Sequence, residues 1–72
     1  MTFGSEIRRL RKQAAISQQA LAEAVGYERA AISKIERDER RPASEKLQAL
    51  VEALKIDQTH LAMLVLLLGE DV

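Results

Sequence analysis

Cysteine is absent from the sequence, which removes disulfides, thiolate zinc sites and cysteine nucleophiles together and fits a reducing cytoplasm. A single histidine, His60, argues against a protein metal site, so neither metal nor cofactor is expected. Aromatic residues make up only 3% of the chain, so the core has to be built from Leu, Ile, Val and Ala, which suits packed helices. Long hydrophobic runs are missing too. The longest, Leu61 to Leu68, has eight residues, where a membrane span needs about 20. Charged Arg8, Arg9, Arg11 and Lys12 arrive too early for the apolar core of a signal peptide. The chain is therefore read as soluble, with no membrane partner. Its 72 residues allow one domain, 1–72, near the lower size limit for a single core.

Net charge is also lacking: eleven Lys and Arg face eleven Asp and Glu. The zero hides a polarity, because residues 1–42 hold nine basic and six acidic residues, whereas residues 43–72 hold two and five. An electrostatic footprint for nucleic acid is local, so the positive first part matters more than the sum.

Start and stop signals divide the chain into five short helical segments. Phe3, Ile7, Leu10 and Ala14 share one face of the first, and Arg8, Arg9 and Lys12 the other. Ser17 reads as an N-cap, followed by an apolar stripe of Ala20, Leu21, Ala24 and Val25. Gly26 stops that helix, since glycine takes the left-handed conformation of a sharp turn. A third helix is expected from about Glu28 to Arg37, with Ile32 and Ile35 inward and Arg29, Ala30, Ser33, Lys34 and Arg37 outward. Pro42 forbids continuous helix through the polar stretch that follows. Leu47, Leu50, Val51 and Leu54 mark a fourth helix; Leu61, Leu64, Val65 and Leu68 mark a fifth, at about 57–69.

Residues 17–37 thus form two short helices around a glycine turn, a helix-turn-helix pattern that any helix pair could also produce. The motifs narrow it. Ile7-Arg8-Arg9-Leu10-Arg11, Ile16-Ser17-Gln18-Gln19-Ala20-Leu21-Ala22, Val25-Gly26, Ile32-Ser33-Lys34-Ile35-Glu36-Arg37 and Arg41-Pro42 stand in one order and spacing, joined by Leu47 to Leu54 and Ile56-Asp57 with Leu61. Over residues 4 to 61 the chain resembles the Xre-type family of the lambda repressor and Cro class. The resemblance implies an all-α, five-helix bundle. Its third helix would enter the DNA major groove, and a dimer would read two half-sites about 34 Å apart on a two-fold symmetric operator.

On that resemblance the base-reading positions are Arg29, Ala30 and Lys34, with Ser33 beside them. Their chemistry agrees: Arg29 and Lys34 can donate to guanine O6 and N7, and Ala30 can meet a thymine methyl. The competing reading is a solvated helix face. Gln18 matches the family's phosphate-binding glutamine, and Arg37, Arg40 and Arg41 are further backbone candidates, although Asp38 and Glu39 oppose their charge. Arg8, Arg9 and Lys12 are weaker candidates of the same kind. Arg11 and Glu36 correspond to an interior salt bridge between the first helix and the end of the third.

Three positions depart from the family pattern. Ala15 and Asp38 stand where glycine is usual, so the first helix is expected to end differently, while Asp tolerates left-handed backbone better than most residues. Glu28 is a poor N-cap type whose carboxylate would repel phosphate or accept from a cytosine amino group. Tyr27 either touches the DNA backbone or covers the core.

In the fifth helix Met63, Leu66 and Leu67 are left as a second apolar face, which marks an interface. A homodimer contact is expected there; burial within the monomer, or against a following domain, is the alternative. His60 reads as a surface or capping residue. With no phosphate-cradling loop, metal cluster or nucleophile with a base, an enzyme is not expected. Two function classes stay open. One is a DNA-binding transcriptional regulator, as a repressor, a restriction–modification controller or an antitoxin; the other is a protein-interaction module on the same scaffold.

Overall fold

A computed structural model of the chain describes residues 1–69. Five helices follow in order: α1 Phe3–Gln13, α2 Gln18–Val25, α3 Arg29–Glu36, α4 Ser44–Leu54 and α5 Gln58–Gly69, with no strand among the described residues. The all-α, five-helix expectation is met.

Local chemistry explains each boundary. Thr2 caps α1 in a reciprocal box with Ser5. Ser17 Oγ accepts from the Ala20 N–H at 3.0 Å, and Gly26 ends α2 at φ 85°. Asp57 Oδ1 accepts from the His60 N–H at 2.7 Å and so starts α5. Glu28 takes the N-cap place of α3 without a side-chain cap bond, as its residue type forecasts. Ala15 and Asp38 both adopt left-handed backbone, at φ 59° and 61°. The first helix therefore makes the usual left-handed exit without the usual glycine, which corrects the expectation that it ends differently.

The core is aliphatic, with Phe3 its buried aromatic: Ile7, Leu21, Ala22, Val25, Ile32, Ile35, Leu50, Leu54 and Leu64 complete it. Around it α2 packs on α3 and α4, and α1 packs on α3 and α5. Two stripes are out of register with the sequence reading. In α2 the inward residues are Leu21, Ala22 and Val25, whereas Ala20 and Ala24 are exposed. In α5 Leu64 is buried and Leu67 and Leu68 pack against the core, but Val65 faces out. Ala14 of α1 is likewise exposed. In each case the small or repeated apolar side chain carries no directional signal, and the neighbouring helix decides which face is covered.

Candidate nucleic-acid interface

The α2–turn–α3 unit presents one face of α3 outward. Ala31, Ile32, Ile35 and Glu36 are buried on the other, while Arg29, Ala30 and Lys34 are exposed and Ser33 is half-buried between them. All four base-reading candidates thus lie on one helix of eight residues.

A hydrogen-bonded chain links this face to α1 and α2. Arg11 Nε donates to Glu36 Oε2 at 2.6 Å and its Nη2 to Oε1 at 3.3 Å, while Nη1 donates to the Ile16 carbonyl at 3.0 Å. Glu36 Oε1 also accepts from Gln18 Nε2 at 3.0 Å. That bond orients the amide, so that Gln18 Oε1 faces Arg29 Nε at 3.5 Å. A buried carboxylate so placed is fully partnered, and no buried side-chain polar atom among the described residues lacks a hydrogen bond. One groove is lined by Arg11, Ser17, Gln18, Gln19 and Arg29, and a second by Arg8, Arg11, Gln18, Ser33, Glu36 and Arg37. Gln18, Arg29, Ser33 and Arg37 are therefore brought together, with Arg8 beside them. Free amides at the start of α2 add a favourable dipole for an anion.

The loop after α3 is arranged differently. Arg37 pairs with Glu39 at 3.1 Å and donates to the Ser33 carbonyl at 3.3 Å. Arg40 lies over the Tyr27 ring. Arg40 and Arg41 line a separate groove with Phe3, Asp38, Glu39 and Leu68. The Asp38 carboxylate, in the same groove as these arginines, accepts from Thr2 Oγ1 at 2.6 Å and the Gly4 N–H at 2.9 Å. This clamp fastens the start of α1 to the end of α3. Gly4 belongs to it, because a Cβ there would stand 2.7 Å from the Glu36 carbonyl oxygen. Neither Gly4 nor the Asp38 bonds were foreseen, since a contact between residues 34 apart leaves no local pattern.

On the opposite side, Glu6 is buried, with 5% exposure, and was also missed. Its carboxylate accepts from Arg9 Nη2 at 2.8 Å and Nε at 3.1 Å, and His60 Nε2 lies 3.3 Å from it. The Arg9 hydrogen bond holds the Glu6 carboxyl below its ordinary range against the opposing effect of burial, and His60 lowers it further. Arg9 and His60 thus serve a bond between α1 and α5 rather than the α3 face.

On α5, Leu66 is 68% and Val65 48% exposed, while Met63 lies half-buried at the rim of a groove with Met1, Glu6, Arg9, Asp57, Thr59 and His60. Of the three residues expected to form a second apolar face, Leu66 is outward and Met63 stands at the edge. Leu67 packs on the core, because α5 turns its 64–67–68 side toward the bundle. No described helix is long and apolar enough to cross a membrane.

A family model described as a helix-turn-helix domain matches residues 2–64. The fold is similar to the P22 c2 repressor solved in complex with a synthetic operator in the presence of Tl+: 41% identity, a TM-score of 0.78, and coverage of 85% of this chain and 92% of that one. The DNA-binding domain of the P22 c2 repressor in solution is 40% identical with a TM-score of 0.79, over 86% of this chain and 82% of that one. The restriction-modification controller protein C.AhdI from Aeromonas hydrophila is 32% identical with a TM-score of 0.75, over 82% and 89%. Among curated proteins no relative matches. By the span of the family model and the identity to these structures, the chain belongs to the helix-turn-helix domain family, in its Xre-type, lambda-repressor-like branch.

Proposed function

We propose that this chain is a single-domain, non-enzymatic transcriptional regulator that binds double-stranded DNA by sequence, acting in the cytoplasm as a homodimeric repressor. The observation that carries the reading is the outward face of α3, where Arg29, Ala30 and Lys34 are exposed on a scaffold 41% identical to a repressor solved on a synthetic operator. Arg29 and Lys34 donate to guanine, Ala30 meets a thymine methyl, and Ser33 beside them can serve several bases. Gln18 and the arginines 37, 40 and 41 supply backbone contacts.

A two-fold symmetric operator follows from a dimer, and size supports one protomer per half-site. The longest extent of the protomer is 27 Å, below the roughly 34 Å between half-sites one helical turn apart. The dimer contact is assigned to α5 through Leu66, with Val65 and Met63 flanking it in place of Leu67. Likeness to C.AhdI supports a restriction–modification controller as one subclass and likeness to the P22 repressor a phage-type repressor; an antitoxin shares the same framework. A protein-interaction module is the second reading, favoured by the exposed Leu66 and by zero net charge.

Selection of genomic fragments by the purified protein, with Arg29→Ala alongside, separates the two. An enriched two-fold motif that loses discrimination by about 1–3 kcal/mol at one base position in the variant is the expected result. A folded protein that enriches no sequence would move the assignment to the interaction module.

A further inference from the structure

Tyr27 stands in the turn between α2 and α3, next to the α3 N-cap Glu28. Its hydroxyl accepts from the Ala43 N–H at 3.0 Å, at the far end of the loop that leaves α3. The Arg40 guanidinium carbon lies 4.8 Å from the ring centroid and Lys46 Nζ 5.5 Å from it. Lys46 is held in turn by the carbonyls of Val25 and Gly26, at 3.2 and 3.5 Å. Loop 37–43 therefore leaves the C-terminal end of the recognition helix, returns to its N-terminal end and is fastened there by one aromatic side chain.

We propose that Tyr27 is a positioning residue for the DNA backbone: by stacking Arg40 and pinning Ala43, it presents the Arg40 guanidinium to a phosphate beside the start of α3. The inference rests on the DNA-binding reading and adds to it the residue that sets one phosphate contact.

The chemistry distinguishes Arg40 from Arg37. Arg37 meets a carboxylate, which neutralises it locally. An aromatic face attracts a cation without neutralising it, and a stacked guanidinium keeps its in-plane N–H groups free for the fork geometry that phosphate accepts. Arg40 is exposed in that pose. The nearest acids in sequence are engaged elsewhere, Asp38 by Thr2 and Gly4 and Glu39 by Arg37. Stacking also orders the side chain before DNA arrives, which removes part of the entropy cost of binding.

The test titrates the full chain with a random-sequence duplex of about 20 base pairs across a range of salt, well below the lowest melting temperature of the set. Each neutralised phosphate contributes about 0.9 to the slope of log affinity on log salt. Arg40→Ala is expected to reduce the slope by about that amount per protomer. Tyr27→Leu is expected to reduce it comparably although Arg40 is still present, the double variant no further, and Tyr27→Phe, which keeps the stacked ring and gives up only the Ala43 bond, to lose less than Tyr27→Leu. In the free wild-type protein the Arg40 side-chain protons should show ring-current shifts that Tyr27→Phe retains, a readout that holds even if Tyr27→Leu fails to fold. A wild-type slope in Tyr27→Leu, an additive double variant, or unshifted Arg40 protons would overturn the proposal with the DNA-binding reading intact. A wild-type protein that binds no duplex at any salt would overturn both.

Discussion

Arg11 Nε lies 2.6 Å from Glu36 Oε2, with side-chain exposures of 12% and 3%, so an ion pair fixes the end of α3 to α1 while largely shielded from water. Such a pair adds little net stability, because desolvation offsets the attraction, but removing one partner strands a charge. Glu36→Ala is expected to cost about 3–5 kcal/mol. A domain of this size holds roughly 4–11 kcal/mol in total, so the variant should lose a large share of its stability, and DNA binding should weaken as the end of α3 loses its anchor. Urea denaturation followed by circular dichroism checks it; an unchanged midpoint would contradict the role assigned to the pair.

Two left-handed residues should respond to glycine in opposite ways. Ala15 sits at φ 59°, exposed, where left-handed backbone costs an alanine about 1–2 kcal/mol. Glycine removes that strain and gives back about 0.4–1 kcal/mol in unfolded-state entropy. Ala15→Gly should therefore stabilise by about 0.5–1 kcal/mol, a rise of several degrees in melting temperature. Asp38 is at φ 61°, yet its carboxylate holds Thr2 and Gly4. Asp38→Gly forfeits two bonds worth about 0.5–1.5 kcal/mol each and should not stabilise. Parallel shifts in the two variants would show that the clamp carries no energy.

These residues also show where the sequence is legible. Ala15 and Asp38 announce themselves by standing in glycine places, and Ser17 and Gly26 bracket α2 by local chemistry that needs no tertiary contact. The outward face of α3 follows from Ile32 and Ile35, large side chains whose spacing points one way. Ala20, Ala22 and Ala24 alternate with no such bias, and only the packing of α2 against α3 and α4 selects Ala22 for burial. The leucines of α5 surround the helix, so the choice between Val65 and Leu67 is made by where the bundle lies. Arg11 and Glu36, 25 residues apart, were paired by family likeness alone. Glu6 and His60, 54 apart, had neither pattern nor likeness to join them.

Glu6 should leave a mark on acid stability. Its carboxyl is depressed below the ordinary 4.5, chiefly by the Arg9 hydrogen bond and then by His60, with burial opposing. A depressed carboxylate contributes stability that is complete above the unfolded value and is lost as pH falls through the folded one. The window is therefore below 4.5. Glu6→Gln carries no titrating group, so its melting temperature should fall less steeply than that of the wild type as the solution is acidified past that point. Thermal scans in matched buffers on either side of the window measure the difference. Curves that stay parallel would mean that the α1–α5 link does not depend on the ionised carboxylate.

The α5 surface separates association from folding, because adjacent leucines have different neighbours. Leu66 is 68% exposed and touches little of its own chain, whereas Leu67 packs against the core. In a two-fold contact the same patch meets itself, so each substitution acts twice and places two like charges face to face. Leu66→Asp should leave the melting temperature of the protomer nearly unchanged while shifting sedimentation at tens of micromolar from dimer to monomer. Leu67→Ala should do the reverse in kind, costing about 2–5 kcal/mol at full burial and less at a half-buried site, with association weakened only as the fold is lost. DNA binding adds a third readout: a monomeric Leu66→Asp protein keeps its recognition helix but loses the joint hold on two half-sites. Its affinity for a two-fold operator should fall toward that for a single half-site. Wild-type association in Leu66→Asp would remove α5 from the dimer contact and return its exposed leucine to the interaction-module reading.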